Sequence, residues 1–196
     1  MSGINEVPIV GEGRGRWTLI LGGSRSGKSS LGEKLAQERG GRDVLFVATG
    51  EALDSEMHER IVRHKEGRAG FGWRTLEAPR RVGERLAEAL TGEEKVVLLD
   101  CMTLLASNAV CDMKDDTPSA EAEARLTAEV DSLIAVMRAS SAGWIVISNE
   151  VGLGLVPPYR LGRLFRDALG RANQRLAAAA DEVLLMVAGL EIRLKG

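Results

Sequence analysis

The residues Gly22, Gly23, Ser24, Arg25, Ser26, Gly27, Lys28 and Ser29 follow the pattern G-x-x-x-x-G-K-[ST]. Residue type dictates the chemistry such a run can do. The glycines let backbone N–H groups wrap phosphate oxygens, Lys28 is expected to reach the β and γ phosphates, and Ser29 to place its hydroxyl on Mg²⁺. A second centre is His64, in the run Arg60-Ile-Val-Arg63-His64-Lys65-Glu66-Gly67-Arg68. Positive neighbours disfavour the imidazolium, so the ring is expected to be neutral and nucleophilic. The same cations would offset the charge of a triphosphate, which suits attack on an α-phosphate with pyrophosphate leaving. These residue types describe an exposed histidine on a solvated helix equally well. Asp100 closes the apolar run Val96-Val-Leu-Leu-Asp100 and is the acid placed to complete a magnesium shell or act as base, or simply to cap a following helix. Asp43 and Asp181 precede their strands and belong to the opposite edge of a parallel sheet.

These groups need elements to hold them. Apolar runs of strand length fall at 17–21, 44–48, 96–99, 144–147 and 183–187, and alternate with amphipathic stretches near 28–39, 54–66, 80–90, 119–139 and 160–180. The phosphate loop therefore follows a strand and opens a helix, as its mechanism requires. Strands apolar on both faces and separated by helices predict an α/β, three-layer fold of the P-loop NTPase-like kind with a mostly parallel central sheet. Ligands in such sheets sit at the carboxyl ends of the strands. That edge would also receive the Gly-rich, acid-bearing segment Ser148-Asn-Glu-Val-Gly-Leu-Gly-Leu-Val-Pro157. Residues 112–122 read as a surface loop leading into a helix. If 54–66 is helical, Arg60 and Arg68 share the face of His64, while His58 points about 120° away. On the last helix Arg160, Arg163, Asp167, Arg171 and Gln174 form one polar stripe, for a ligand or for packing and subunit contact.

With 196 residues, the chain is expected to form one domain over 17–196 behind a loose tail at 1–16. Two cysteines, Cys101 and Cys111, form neither a disulfide framework nor a zinc site and suit a reducing cytoplasm. No apolar run is long enough to insert in a membrane, and no signal-peptide pattern opens the sequence. A net charge of −2 argues against nucleic acid as a bulk partner. Yet 20 of the 26 basic residues are arginine, the side chain suited to forked contacts with phosphate or carboxylate. The Asn-Lys-x-Asp run common in guanine-reading switches is absent, which favours a small-molecule kinase over a GTPase switch.

From Trp17 to the end, the sequence resembles the bifunctional adenosylcobinamide kinase and adenosylcobinamide-phosphate guanylyltransferase family. The likeness rests on the phosphate loop; Ala48-Thr49-Gly50 with Asp54, Glu56 and Met57; Arg63-His64 with Arg68; Trp73-Arg-Thr with Glu77; Asp100-Cys-Met-Thr-Leu; Ser148 to Pro157; and Phe165-Arg-Asp with Gly170 and Asn173 to Val183. The resemblance implies phosphorylation of adenosylcobinamide with ATP or GTP. Transfer of GMP from GTP to adenosylcobinamide phosphate would follow, through a covalent guanylyl-histidine at His64. It implies nucleotide contacts at Gly22 to Ser29, at Ala48, Thr49 and Gly50, at Lys65, Glu66, Gly67 and Arg68, and at Glu77 and Asp100. It also implies magnesium held by Ser29 and Asp100, directly or through water, and assembly as a homotrimer. Pro158-Tyr159 stands where the family usually has an acid and an amide, so a guanylyltransferase with weakened kinase activity is one alternative. A non-catalytic nucleotide-sensing module is another.

Overall fold

The computed structural model describes residues 14–51, 55–110, 113 and 117–196; the side chains of Glu56, His58 and Arg60 lie outside the description. Strands are β1 (Trp17–Gly22), β2 (Val44–Ala48), β3 (Arg74–Glu77), β4 (Val96–Asp100), β5 (Gly143–Ile147), β6 (Glu182–Val187) and β7 (Leu190–Lys195). Helices are α1 (Lys28–Gly40), α2 (Ser55–Arg68), α3 (Val82–Ala89), α4 (Met102–Val110), α5 (Ser119–Ala139) and α6 (Arg160–Ala179). All seven strands join one sheet in the order β3-β2-β4-β5-β1-β6-β7, parallel except for β7. β1, β4 and β5 are apolar and buried along almost their whole length, because helices cover both faces.

On one face α1 packs over a core of Ile20, Phe46, Leu98, Ile145 and Ile147. On the other, α3, α4, α5 and α6 enclose a larger core around Leu86, Leu105, Leu133, Trp144 and Leu169. The expected three-layer α/β architecture is what the chain forms.

The acid-bearing strand is not next to the phosphate-loop strand. β5 lies between β1 and β4, so Asp100 stands two strands from the loop. The register carries one row across the carboxyl edge. Glu77 pairs with Ala48, Ala48 with Asp100, Asp100 with Ile147, and Ile147 with Ile20. Four inter-strand steps separate Glu77 from β1, about 19 Å at the usual strand spacing.

Three elements exceed the sequence expectation. β3 is a four-residue edge strand, largely exposed, without enough apolar pattern to announce itself. α4 is apolar nearly all round because it is buried, which erases the helical period. β7 does alternate, Leu-Glu-Ile-Arg-Leu-Lys, and pairs with β6 through a two-residue turn, Ala188-Gly189, with both φ values positive. At the amino end, Arg14 is anchored by paired contacts to Asp181 (2.6 and 3.1 Å), and Gly15 N–H donates to Ser141 O (2.8 Å), so ordered ties begin before Trp17.

Candidate active site at the carboxyl edge of the sheet

The connections diverge at β1 and β5. α1 carries the chain from β1 towards β2, while α6 carries it from β5 past β1 to β6 on the opposite face. The crevice at such a divergence, beyond the carboxyl ends, is where open α/β sheets take ligands. The phosphate loop fills it. Gly22 has no room for a side chain, since a Cβ there would lie 2.5 Å from Met186 O. Two neighbours clamp the loop: Glu150 N–H donates to Gly22 O (3.1 Å) and Gly189 N–H to Ser26 O (3.1 Å). Lys28, 7% exposed, curls its ammonium back to donate to Gly23 O at 2.5 Å, over the concavity that the loop's N–H groups surround.

Beside the loop, Ser148 Oγ donates to Asn173 Oδ1 (2.6 Å), Asn173 Nδ2 donates to Asn149 O (3.0 Å), and Asn149 N–H donates to Thr103 Oγ1 (2.8 Å). α4 and α6 thereby fix the segment leaving β5. Thr49 is fully buried and bridges β2 to β4, its hydroxyl donating to Cys101 O (2.7 Å) and accepting from Cys101 N–H (2.8 Å). Asn108 Nδ2 donates to Thr49 O (2.8 Å) and Pro79 O (2.9 Å). Thr49 thus braces the Ala48–Gly50 turn against Asp100, its hydroxyl spent on the protein itself.

His64 lies half-buried on the last turns of α2. Three of the cations expected to crowd it, Arg63, Lys65 and Arg68, make contacts of their own. Lys65 Nζ donates to Glu77 Oε1 (2.7 Å) and Arg63 Nε to Glu59 O (3.4 Å). Arg68, 8% exposed, stacks its guanidinium 3.6 Å over Phe46 and faces Glu33 Oε1 at 3.6 Å, an ion pair too long for a hydrogen bond. Its Nη1 is buried with no hydrogen-bond partner. Burial holds Arg68 below the usual guanidinium value, with Glu33 and Asp100 opposing. Burial raises Glu33 above 4.5, with Arg68 and His64 pulling it down and Asp100 pushing it up. Glu33, Arg68, His64 and Asp100 therefore share one electrostatic neighbourhood. Burial and Asp100 push the Cys101 thiol up to about 11, which disfavours its thiolate.

Lys65, Arg68 and Glu77 line a cleft of about 360 Å³ with Trp73 and Thr75, at the far end of the row that begins at the phosphate loop. Glu66 and Gly67 are exposed and do not line it. A larger cleft of about 450 Å³ opens between the last turns of α5 and α6, at the amino edge, far from the phosphate loop. The α6 arginines are engaged within the chain: Arg160 with Thr117 O, Arg163 with Pro157 O and Pro158 O, Arg171 with Glu123 and Arg175 with Asp131. Three members of the stripe seen in the sequence, Arg160, Arg163 and Arg171, thus make contacts within the chain.

Glu33, Phe46 and Asn108 were not singled out by sequence reasoning. Glu33 left a signal, since it falls four residues after Ser29 and so shares its face of α1. Asn108 left none, because it acts on backbone carbonyls of remote segments.

A parallel sheet with a phosphate loop at its point of divergence, and with oxygen and nitrogen side chains in a row along the same edge, defines a P-loop nucleotide-binding protein. The family model described as "Cobinamide kinase / cobinamide phosphate guanyltransferase" matches residues 18–194. The chain is 42% identical over 182 residues to the "Bifunctional adenosylcobalamin biosynthesis protein CobU" of Escherichia coli, covering 90% of this chain and 98% of that protein. It is 40% identical over 179 residues to the "Bifunctional adenosylcobalamin biosynthesis protein CobP" of Pseudomonas aeruginosa, covering 91% and 96%. A solved structure, the flagellar accessory protein FlaH from Methanocaldococcus jannaschii, covers 93% of this chain and 79% of its own at 16% identity with a TM-score of 0.48, too distant to bear on function. The chain belongs to the cobinamide kinase / cobinamide phosphate guanyltransferase family, and it is a transferase with nucleotide substrates.

Proposed function

We propose that the protein phosphorylates adenosylcobinamide and then transfers GMP from GTP to adenosylcobinamide phosphate, giving adenosylcobinamide-GDP and pyrophosphate, with His64 as the guanylyl carrier. The observation that carries this reading is the row along the carboxyl edge. It runs about 19 Å from the phosphate loop to the Lys65–Glu77 pair, with Asp100 between and the turn bearing His64 and Arg68 beside it. A nucleotide laid along that edge has its phosphates at Gly22 to Ser29 and its far end in the cleft by Glu77.

In the guanylyl step a neutral His64 nitrogen forms a bond to the α-phosphorus while the α–β anhydride bond breaks and pyrophosphate leaves. The phosphate of the corrinoid then attacks the same phosphorus and releases the imidazole. Dividing one displacement in two lets the site hold its two reactants in turn. Arg68, with a buried N–H unmet by any protein acceptor, has a donor to offer a phosphate or base oxygen. Lys28 has only to exchange a backbone carbonyl for a phosphate oxygen.

The Ser29 hydroxyl and, two strands along the same edge, the Asp100 carboxylate are the kind of hard oxygens that magnesium takes alongside nucleotide phosphates and water. No cluster of three or more His, Cys, Asp or Glu side chains able to hold a metal occurs among the described residues, which suits an ion that arrives with its nucleotide. When bound it would offset phosphate charge. For the kinase step Asp100 is the acid nearest the middle of the row and the candidate to receive the hydroxyl proton.

We further infer a homotrimer working in the cytoplasm. Leu153, Leu155, Val156 and Tyr159 form an exposed apolar segment after β5, with Leu155 97% exposed, and β7 leaves Leu190, Ile192 and Leu194 open at the sheet edge. Surfaces of this kind are normally covered by another chain. No helix among the described residues is long and apolar enough to cross a membrane.

The test is intact-mass spectrometry after incubation with magnesium and GTP without corrinoid, with His64→Ala alongside. An acid-labile GMP adduct on the parent and none on the variant is expected. An adduct on neither, with GTP binding intact, would leave a kinase or a nucleotide sensor.

A further inference from the structure

The phosphate-binding helix carries an acid that the row of nucleotide contacts does not include. Ser29 and Glu33 are one turn apart on the same face of α1. Gly32, between them, is pressed against the sheet so closely that a Cβ would lie 2.7 Å from Ile147 Cδ1 and 3.2 Å from Leu98 Cδ1. α1 therefore cannot slide, and the Glu33 carboxylate starts from a fixed point. Opposite it is Arg68, at the final residue of α2, with the Glu33 carboxylate to one side (3.6 Å) and the Phe46 ring beneath (3.6 Å). Phe46 is itself buried on β2, so the guanidinium is held between a helix and a strand that pack into one core.

His64 is four residues before Arg68, one turn away on the same helix face. Ion pairs from Arg68 to Glu33 and from Lys65 to Glu77 tie α2 to the rest of the protein, and the second is exposed at both partners. The buried tie is the one expected to set the helix end. It joins the element that grips phosphates to the element that carries the nucleophile.

We propose that Glu33 is a positioning residue for guanylyl transfer: by holding the Arg68 guanidinium on Phe46 it fixes the last turn of α2, and with it His64, relative to the phosphate loop. The inference rests on the guanylyl-histidine reading above. In-line attack tolerates little misplacement, and an error of about 1 Å costs on the order of 100-fold. Phosphoryl transfer to the cobinamide hydroxyl does not use His64, so the two activities separate what Glu33 does from general damage.

The experiment compares Glu33→Gln with the parent, Arg68→Lys and the double variant, using the full chain with magnesium and GTP. Glu38→Gln, at an exposed position on α1 paired with Lys34, is the control. Single-turnover formation of the GMP adduct is read by mass, phosphoryl transfer to adenosylcobinamide is read separately, and GTP affinity is measured by calorimetry. Glu33→Gln is expected to slow adduct formation at least about tenfold more than phosphoryl transfer, with GTP affinity changed less than either. The double variant is expected to be no slower than Arg68→Lys alone, because the two side chains act as one unit. Equal losses in both activities, or additive losses in the double variant, would overturn the positioning role. Absence of adduct in the parent would instead overturn the reading on which it rests.

Discussion

Lys28 and Arg68 are the two buried cations of the edge, and they are held differently. Lys28 rests on a loop carbonyl and Arg68 on a ring and a carboxylate. Removing the first takes away a charge-assisted contact with phosphate, so Lys28→Ala is expected to weaken GTP binding on the order of 10- to 100-fold by calorimetry. His64 has a competitor in name only: with Cys111 replaced by serine, Cys101 in the native protein is expected to resist iodoacetamide at about pH 8 and to react on unfolding, since its thiol is pushed up to about 11. At this scale the sequence was legible wherever a residue's role follows from its own type. Gly22 to Ser29 could be read as a phosphate loop because backbone wrapping and a lysine are the mechanism itself. The reading of His64 as crowded by cations was incomplete, because Lys65 and Arg68 meet Glu77 and Glu33, partners 12 and 35 positions away that local spacing cannot show.

Among the elements, β3 is little secured by burial and is anchored by charge. Arg74 donates to Glu94 Oε1 at 2.6 Å and to Ala89 O at 2.9 Å. Burial works against the Glu94 charge, but N–H and O–H donors from Glu94 itself, Thr91 and Gly92 outweigh it and hold the carboxyl below 4.5. A depressed acid stabilises the fold above its unfolded value and loses that contribution as the pH falls through the folded one. Glu94→Gln is therefore expected to cost roughly 1.5 to 3 kcal/mol in urea unfolding at pH 7. The gap from the parent narrows progressively below 4.5. β3 was illegible in the sequence for the same reason that it needs this anchor: Arg74-Thr-Leu-Glu77 buries too little to pattern. β1, β4 and β5 were legible because each is a buried apolar run of strand length, and α1 because the phosphate-loop pattern opens it.

At the scale of the whole molecule, the fold class followed from strand and helix alternation, while strand order did not. Nothing in the sequence says that β5 inserts between β1 and β4, which is why Asp100 lies a strand farther from the loop than a two-strand arrangement would place it. Assembly belongs to this scale too. Light scattering behind a sizing column is expected to give three copies, and Leu153→Asp with Leu155→Asp to give a single copy whose phosphate loop still binds GTP. A parent that runs as one copy at micromolar concentration would count against the trimer.

The clamp on the phosphate loop has a temporal side. The loop is encoded in residues 22–29, yet its strand is wedged between β5 and β6, and the contact to Ser26 O comes from Gly189. At ordinary elongation rates, roughly ten to thirty seconds separate the synthesis of the loop from that of the residue that braces it. A nascent chain carries the nucleotide-binding motif long before it can hold a nucleotide, and the last turn made is what certifies the first.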